Sequence, residues 1–175
     1  MTRGLIVPSF RDKPIYTTQT MIDTKQIEEI AARHLTDTDR FVVSCKISPA
    51  NEVELLIDSD TSVSIEDCIT LSRAIEAELD REKEDFELTV MSAGIGEPLL
   101  QLRQYRKLQG RSVEVVLKSG IKVLAKLDEV TEEAITLSYE EKQAVEGKKR
   151  KQLVKVTRTY PFDEVKQTCE WLDFK

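Results

Sequence analysis

One histidine, His34, is the whole imidazole content of this sequence, and its three cysteines stand far apart. A zinc site needs several Cys or His ligands at short spacing, so no metal and no cofactor are expected. Cys45, Cys68 and Cys169 form no CxxC pair, and free thiols in a reducing compartment fit them best. Ser-His-Asp or Cys-His catalysis would have to run through His34, and no motif surrounds it. A helix-surface histidine without a partner is the plainer reading. No apolar run approaches the ~20 residues of a membrane span. The opening MTRGLIVPSFRDKPIYTTQT is apolar only at Leu5–Val7, which Pro8 and then RDK cut short, so it is no signal peptide. Residues 1–20 read as a disordered tail or an upstream extension, with Met21 a candidate natural start.

Glycine is scarce as well, six in 175 residues, yet two fall together in VMSAGIGEPLLQLRQYRKLQG, residues 90–110. Such a stretch after a strand is either a phosphate cradle or a joint. A dinucleotide fingerprint would need Gly or Ala at position 99, which is Leu99. A Walker loop would need Lys and Ser or Thr after the second glycine, and Glu97 would repel a phosphate. Glycines chosen for backbone conformation and linkage explain the stretch better. The acidic group Asp58, Asp60, Glu66 and Asp67 fits an EF-hand spacing poorly, and a strand-to-helix loop with acidic helix-start residues accounts for it.

Charge, by contrast, is abundant and unevenly placed. Residues 21–100 hold 7 Lys/Arg against 19 Asp/Glu, whereas residues 101–175 hold 16 against 12. The sign changes at the glycine stretch. Two modules facing different partners are expected.

The hydrophobic rhythm changes at the same place. DTKQIEEIAARHL reads as a helix with an Asp23/Gln26 capping box and Ile27, Ile30, Ala31 and Leu35 on one face. RFVVSCKI alternates Phe41, Val43, Cys45 and Ile47. SPAN is a turn, and EVELLID returns with Val53, Leu55 and Ile57 inward, making a hairpin. Ser64 and Asp67 make a capping box ahead of a helix whose buried side is Ile65, Cys68, Ile69, Ser72, Ile75 and Leu79. FELTVMS is a third strand. Beyond a short helix in residues 99–108 come SVEVVL, IKVLAKLDEV, ITLSY, a polar loop EEKQAVEGKKRK, QLVKVTRTY and CEWLDF, with Cys169, Trp171 and Phe174 alternating in the last. Short strands at regular spacing imply a small β-barrel. The expected fold is α+β: an N-terminal α-β-β-α-β sandwich and a C-terminal small barrel, over a tail at 1–20, an acidic domain at 21–92, a linker at 93–109 and a barrel at 110–175.

Two basic clusters carry the binding reading. Arg103, Arg106, Lys107 and Arg111 lead the first. Lys148, Lys149, Arg150, Lys151 and Arg158 lie in the second, with Tyr105 and Tyr160 nearby. Such clusters neutralise nucleic-acid phosphates, or simply form a solvated face. The acidic half suits a basic protein surface.

Three segments carry a likeness. LLIDSDTSVSIEDCITLSRAIEAELD, LTVMSAGIGEPLLQLRQYRKLQGRSVEV and YPFDEVKQTCEWLDF resemble, in order and spacing, the bacterial ribosome maturation factor RimP family. The likeness spans about residues 24–175. It implies an Sm-like barrel at the C-terminus and a cytoplasmic, non-enzymatic factor that binds the free small ribosomal subunit, with small-subunit rRNA and ribosomal proteins as neighbours; a monomer is expected. Ser92, Gly94, Pro98 and Leu99 match the family's inter-domain motif. Ala93, Gly96 and Glu97 stand where the family has proline, aspartate and arginine, so a contact made by that arginine does not transfer. A two-domain protein adaptor with no ribosomal role is the alternative, and a hydrolase using His34 or Asp58 a distant third.

Overall fold

The computed structural model describes residues 22–172, so the expected tail, the start at Met21 and the inward Phe174 lie outside the described residues. The first half runs α1 (Thr24–Leu35), β1 (Arg40–Ile47), β2 (Glu52–Ser59), α2 (Ile65–Glu78) and β3 (Glu87–Ser92). Its three-stranded sheet has the order β1-β2-β3, with β1–β2 antiparallel and β2–β3 parallel. The parallel pair follows from α2, which supplies the crossover that such a connection needs. Both helices pack on one face of the sheet. Ile27, Ile30, Ala31 and Leu35 of α1 meet Val53, Leu55 and Ile57 of β2, and Leu71 and Ile75 of α2 close the core.

Local chemistry departs from the sequence pattern in three places. Asp23 caps α1 through the backbone N–H of Lys25, without a return bond from Gln26. A bulge between Val42 and Ser44 breaks the alternation of β1. It turns Val42, Cys45 and Ile47 to the core, leaving Phe41 half-buried outside it and burying Val43 outside that core. Ile65 and Ile69 of α2 are exposed, 75% and 44%, while the expected Ile75 is buried and Leu71 joins it. The Asn51 turn (φ 60°) and the Ser64–Asp67 capping box form as expected.

The second half has α3 (Leu102–Lys107), β4 (Ser112–Leu117), β5 (Lys122–Val130), β6 (Ala134–Gln143), β7 (Gln152–Pro161), a 3-10 turn at Phe162–Glu164, and β8 (Val165–Glu170). The expected Sm-like barrel is overturned: the five strands form an open sheet of order β7-β6-β5-β4-β8, and no ladder among the described residues joins β7 to β8. The chain is a mixed α/β arrangement of two sheets. Closure would need the outer edge of β8, and that edge is taken. Leu99 donates its N–H to the Thr168 carbonyl at 2.8 Å, and Pro98 bridges Cys169. Meanwhile the β6–β7 ladder runs on to Gln143↔Gln152, so the first residues of the expected polar loop are strand. Opposite charges face each other there, Glu140 across from Lys155.

Helix α3 joins the halves. Tyr105 and Leu108 enter the second core with Val113, Val115, Leu127, Ile135 and Leu137. Tyr105 meets Phe162 edge-on, with ring centroids 5.2 Å apart. The other side of the helix faces the first sheet, where Lys107 and Gln104 reach Asp58.

Candidate nucleic-acid interface

The nine expected cations fall into two groups. Two of those on α3, Lys107 and Arg103, are held by carboxylates of the first half. Lys107 Nζ lies 2.8 Å from Asp58 Oδ1, and both side chains are largely buried. Arg103 grips Asp60 with two nitrogens, at 2.8 and 2.6 Å, and its guanidinium stacks over the Phe41 ring at 4.2 Å. Arg103 in turn holds the Asp60 carboxyl below its ordinary range, chiefly by that hydrogen bond, against a smaller opposing effect of desolvation. Of the acidic group expected to be a strand-to-helix loop, Asp58 and Asp60 are the counterparts of α3 and Asp67 caps α2; among the described residues no three Asp, Glu, His or Cys gather to hold a metal.

Two glutamines complete the joint. Gln101 Nε2 donates to the Val42 and Val43 carbonyls, both at 2.9 Å, so the bulge on the edge strand β1 supplies its acceptors. Gln104, 2% exposed, donates to Asp58 Oδ2 and accepts from the N–H groups of Leu100 and Gln101. A buried amide satisfied on both ends fixes geometry rather than merely filling space. Sequence reasoning missed both, since nothing in the pattern separates them from the other glutamines. Arg111 makes a longer contact with Glu170, at 3.3 Å. Arg106 is exposed and makes no ion pair among the described residues.

The glycine stretch sits in this joint. Ala93 N–H still bonds Ile57 of the first sheet, and a turn follows in which Glu97 N–H bonds the Gly94 carbonyl. Gly96 takes φ +85°, the left-handed region that glycine enters without strain. Ser92 ends β3, and Pro98 and Leu99 then attach to β8. The space beside Gly94 is a cavity of about 30 Å³ that Asp58, Glu97 and Glu170 also line. It holds a water at most, and its carboxylates repel phosphate.

The other cations point outward. Beyond Ser138, β6 no longer pairs with β5, so Tyr139–Gln143 and their partners Gln152–Val156 stand out as a two-stranded arm. Five residues per strand give it a reach of roughly 17 Å. At its tip, Lys148, Lys149, Arg150 and Lys151 are all exposed. Lys148 Nζ donates to Gln152 Oε1, and the other three make no ion pair among the described residues. Arg158, at the arm's base, pairs with Glu141 at 3.0 Å. There the Tyr139 and Tyr160 hydroxyls meet at 2.9 Å, and burial with that contact pushes the Tyr139 phenol up to about 12. His34 has a partner after all: its Nε2 lies 2.6 Å from Glu78 Oε1, and Arg33 takes the other oxygen. It ties α1 to α2.

Comparison with known proteins supplies the family. A profile described as the RimP N-terminal domain matches residues 31–96. The chain is 36% identical over 147 residues to the ribosome maturation factor RimP of Porphyromonas gingivalis, covering 84% of this chain and 97% of that one. The chain belongs to the RimP family. The ribosome maturation factor RimP of Christiangramia forsetii is 35% identical over 81% of this chain and 92% of its own, and that of Chlorobium limicola is 40% identical over 88 residues. The P. gingivalis and C. forsetii alignments are too long to rest on the first sheet alone. RimP likeness therefore reaches into the open second sheet and takes in part of the arm or the strands below it.

Proposed function

We propose that this chain is a ribosome maturation factor that binds the free small ribosomal subunit and assists its assembly, acting in the cytoplasm as a monomeric assembly factor and not as an enzyme. The observation that carries this reading is the extent of RimP likeness, 84% of the chain against 97% of a relative. The two sheets serve as two domains, with residues 93–109 as the link. The arm tip, Lys148, Lys149, Arg150 and Lys151, with Arg106 beside the joint, contacts rRNA phosphates. The cations already held by carboxylates, Arg103 and Lys107 above all, position the domains. Arg111, in its longer pair with Glu170, is free to exchange that carboxylate for phosphate, whereas Arg158 stays with Glu141. The acidic first sheet faces basic ribosomal proteins. No helix among the described residues is long and apolar enough to cross a membrane, in keeping with this reading.

The test is sedimentation of the purified chain with ribosomal particles. It is expected to travel with free small subunits and to be missing from assembled ribosomes. Equal association with both, or with neither, would exclude the proposal and leave the adaptor reading.

A further inference from the structure

The strands β5 and β6 part company in mid-sheet. Their ladder ends at Lys126↔Ser138, yet β5 continues back to Lys122 along β4, and β6 continues out to Gln143 along β7. No ladder pair joins residues 122–125 to residues 139–143. Both strands therefore present unpaired backbone edges to the gap between them, and a strand edge of this kind is a template for another chain. The gap is open. A cleft of about 630 Å³ lies there, lined by Ile121, Leu124, Tyr139, Glu140, Arg158 and Tyr160 among others. Core-facing residues such as Val123 and Tyr139 border it together with outward ones such as Lys122 and Leu124, as a gap between strand edges requires.

The chemistry of the lining chooses the occupant. Its two cations are committed, Lys122 to Glu114 at 3.0 Å and Arg158 to Glu141 at 3.0 Å. Glu140 is exposed and makes no ion pair among the described residues. A phosphate would meet two cations already paired and one carboxylate that is not. Ile121 and Leu124, by contrast, are 59% and 50% exposed at the rim. Unpaired N–H and C=O groups beside exposed aliphatic side chains are what an extended polypeptide needs for strand addition, with main-chain bonds for affinity and alternate side chains for specificity.

We propose that the β5–β6 fork receives an extended, uncharged segment of a partner protein, which adds as a strand and sets alternate aliphatic side chains against Ile121 and Leu124. This site is separate from the basic arm tip, and the sedimentation test above neither supports nor removes it. The probe is a nine-residue peptide alternating valine and serine, added to the full chain. Amide hydrogen exchange is expected to slow at least tenfold at residues 122–125 and 139–143. The same peptide N-methylated at alternate residues, which keeps its sequence and removes its ladder donors, is expected to lose that protection. Leu124→Ser, at a half-exposed position, is expected to weaken the effect at least tenfold. Protection that survives N-methylation, protection that maps elsewhere, no protection at all, or protection by a uridine oligonucleotide in place of the peptide would each overturn the proposal.

Discussion

Arg103, Lys107 and Arg150 are indistinguishable as charges in a sequence, and the fold gives them opposite work. Lys107 reaches a carboxylate that is nine-tenths buried, so removing either partner strands a charge in a region of low dielectric. Asp58→Ala is expected to cost about 2 kcal/mol of stability, with Gln104 losing a partner as well. A double-mutant cycle with Lys107→Met should return a coupling of about 1–3 kcal/mol in denaturant unfolding; additive effects would mean the pair is only a surface contact. Asp60 behaves differently because it is exposed. Its folded carboxyl is depressed by Arg103, so what it adds to stability is present above the ordinary aspartate pKa of ~3.9 and is lost as pH falls through the lower folded value. The Arg103–Asp60 contact should hold unchanged at neutral pH and open only in strong acid. Carboxyl NMR titration of Asp60 should show its apparent pKa rise in Arg103→Gln, and an unmoved value would contradict the assignment.

At the scale of elements, caps and turns were the legible features and side-chain orientation was not. Ser64 with Asp67 names the start of α2 in the sequence, and the structure closes both bonds of that box. Ser64→Ala is therefore expected to lower stability by about 1 kcal/mol, read as a shift in thermal midpoint. The same helix shows what pattern reading loses. Of the expected stripe Ile75 packs into the core and Cys68 and Leu79 pack partly against it, yet Ile65 and Ile69 are exposed and Leu71 is buried in their place. In β1 a single extra residue at the bulge reverses which side chains face inward, since the strand repeat is two residues. Nothing in RFVVSCKI announces that bulge. Its two carbonyls are held by Gln101, fifty-nine and fifty-eight residues away.

For the whole molecule, the arm tip governs the salt dependence of binding. Replacing Lys148, Lys149, Arg150 and Lys151 with glutamine should flatten the plot of log affinity against log salt for small subunits. The slope should fall by roughly 0.7–0.9 for each phosphate these side chains neutralise. Thermal stability should stay within about 0.5 kcal/mol of the parent, because exposed surface residues carry little of the fold. An unchanged slope would move the phosphate contacts elsewhere, Arg106 first. The change of charge at residue 100, the three-stranded sheet with its two helices, the Asn51 turn and the α2 cap were determined by sequence, because helix and strand periodicity, capping and turn chemistry act over a few residues; the last strand, expected at 169–174, runs instead at Val165–Glu170 and leaves Trp171 exposed. The open second sheet, the partnering of Asp58 and Asp60 with α3, and the separation of structural from exposed cations were decided only in tertiary structure. Each depends on which distant groups the fold brings together: Pro98 and Leu99 cover the edge of β8 that a barrel would have closed, and Lys107 is held by the largely buried Asp58.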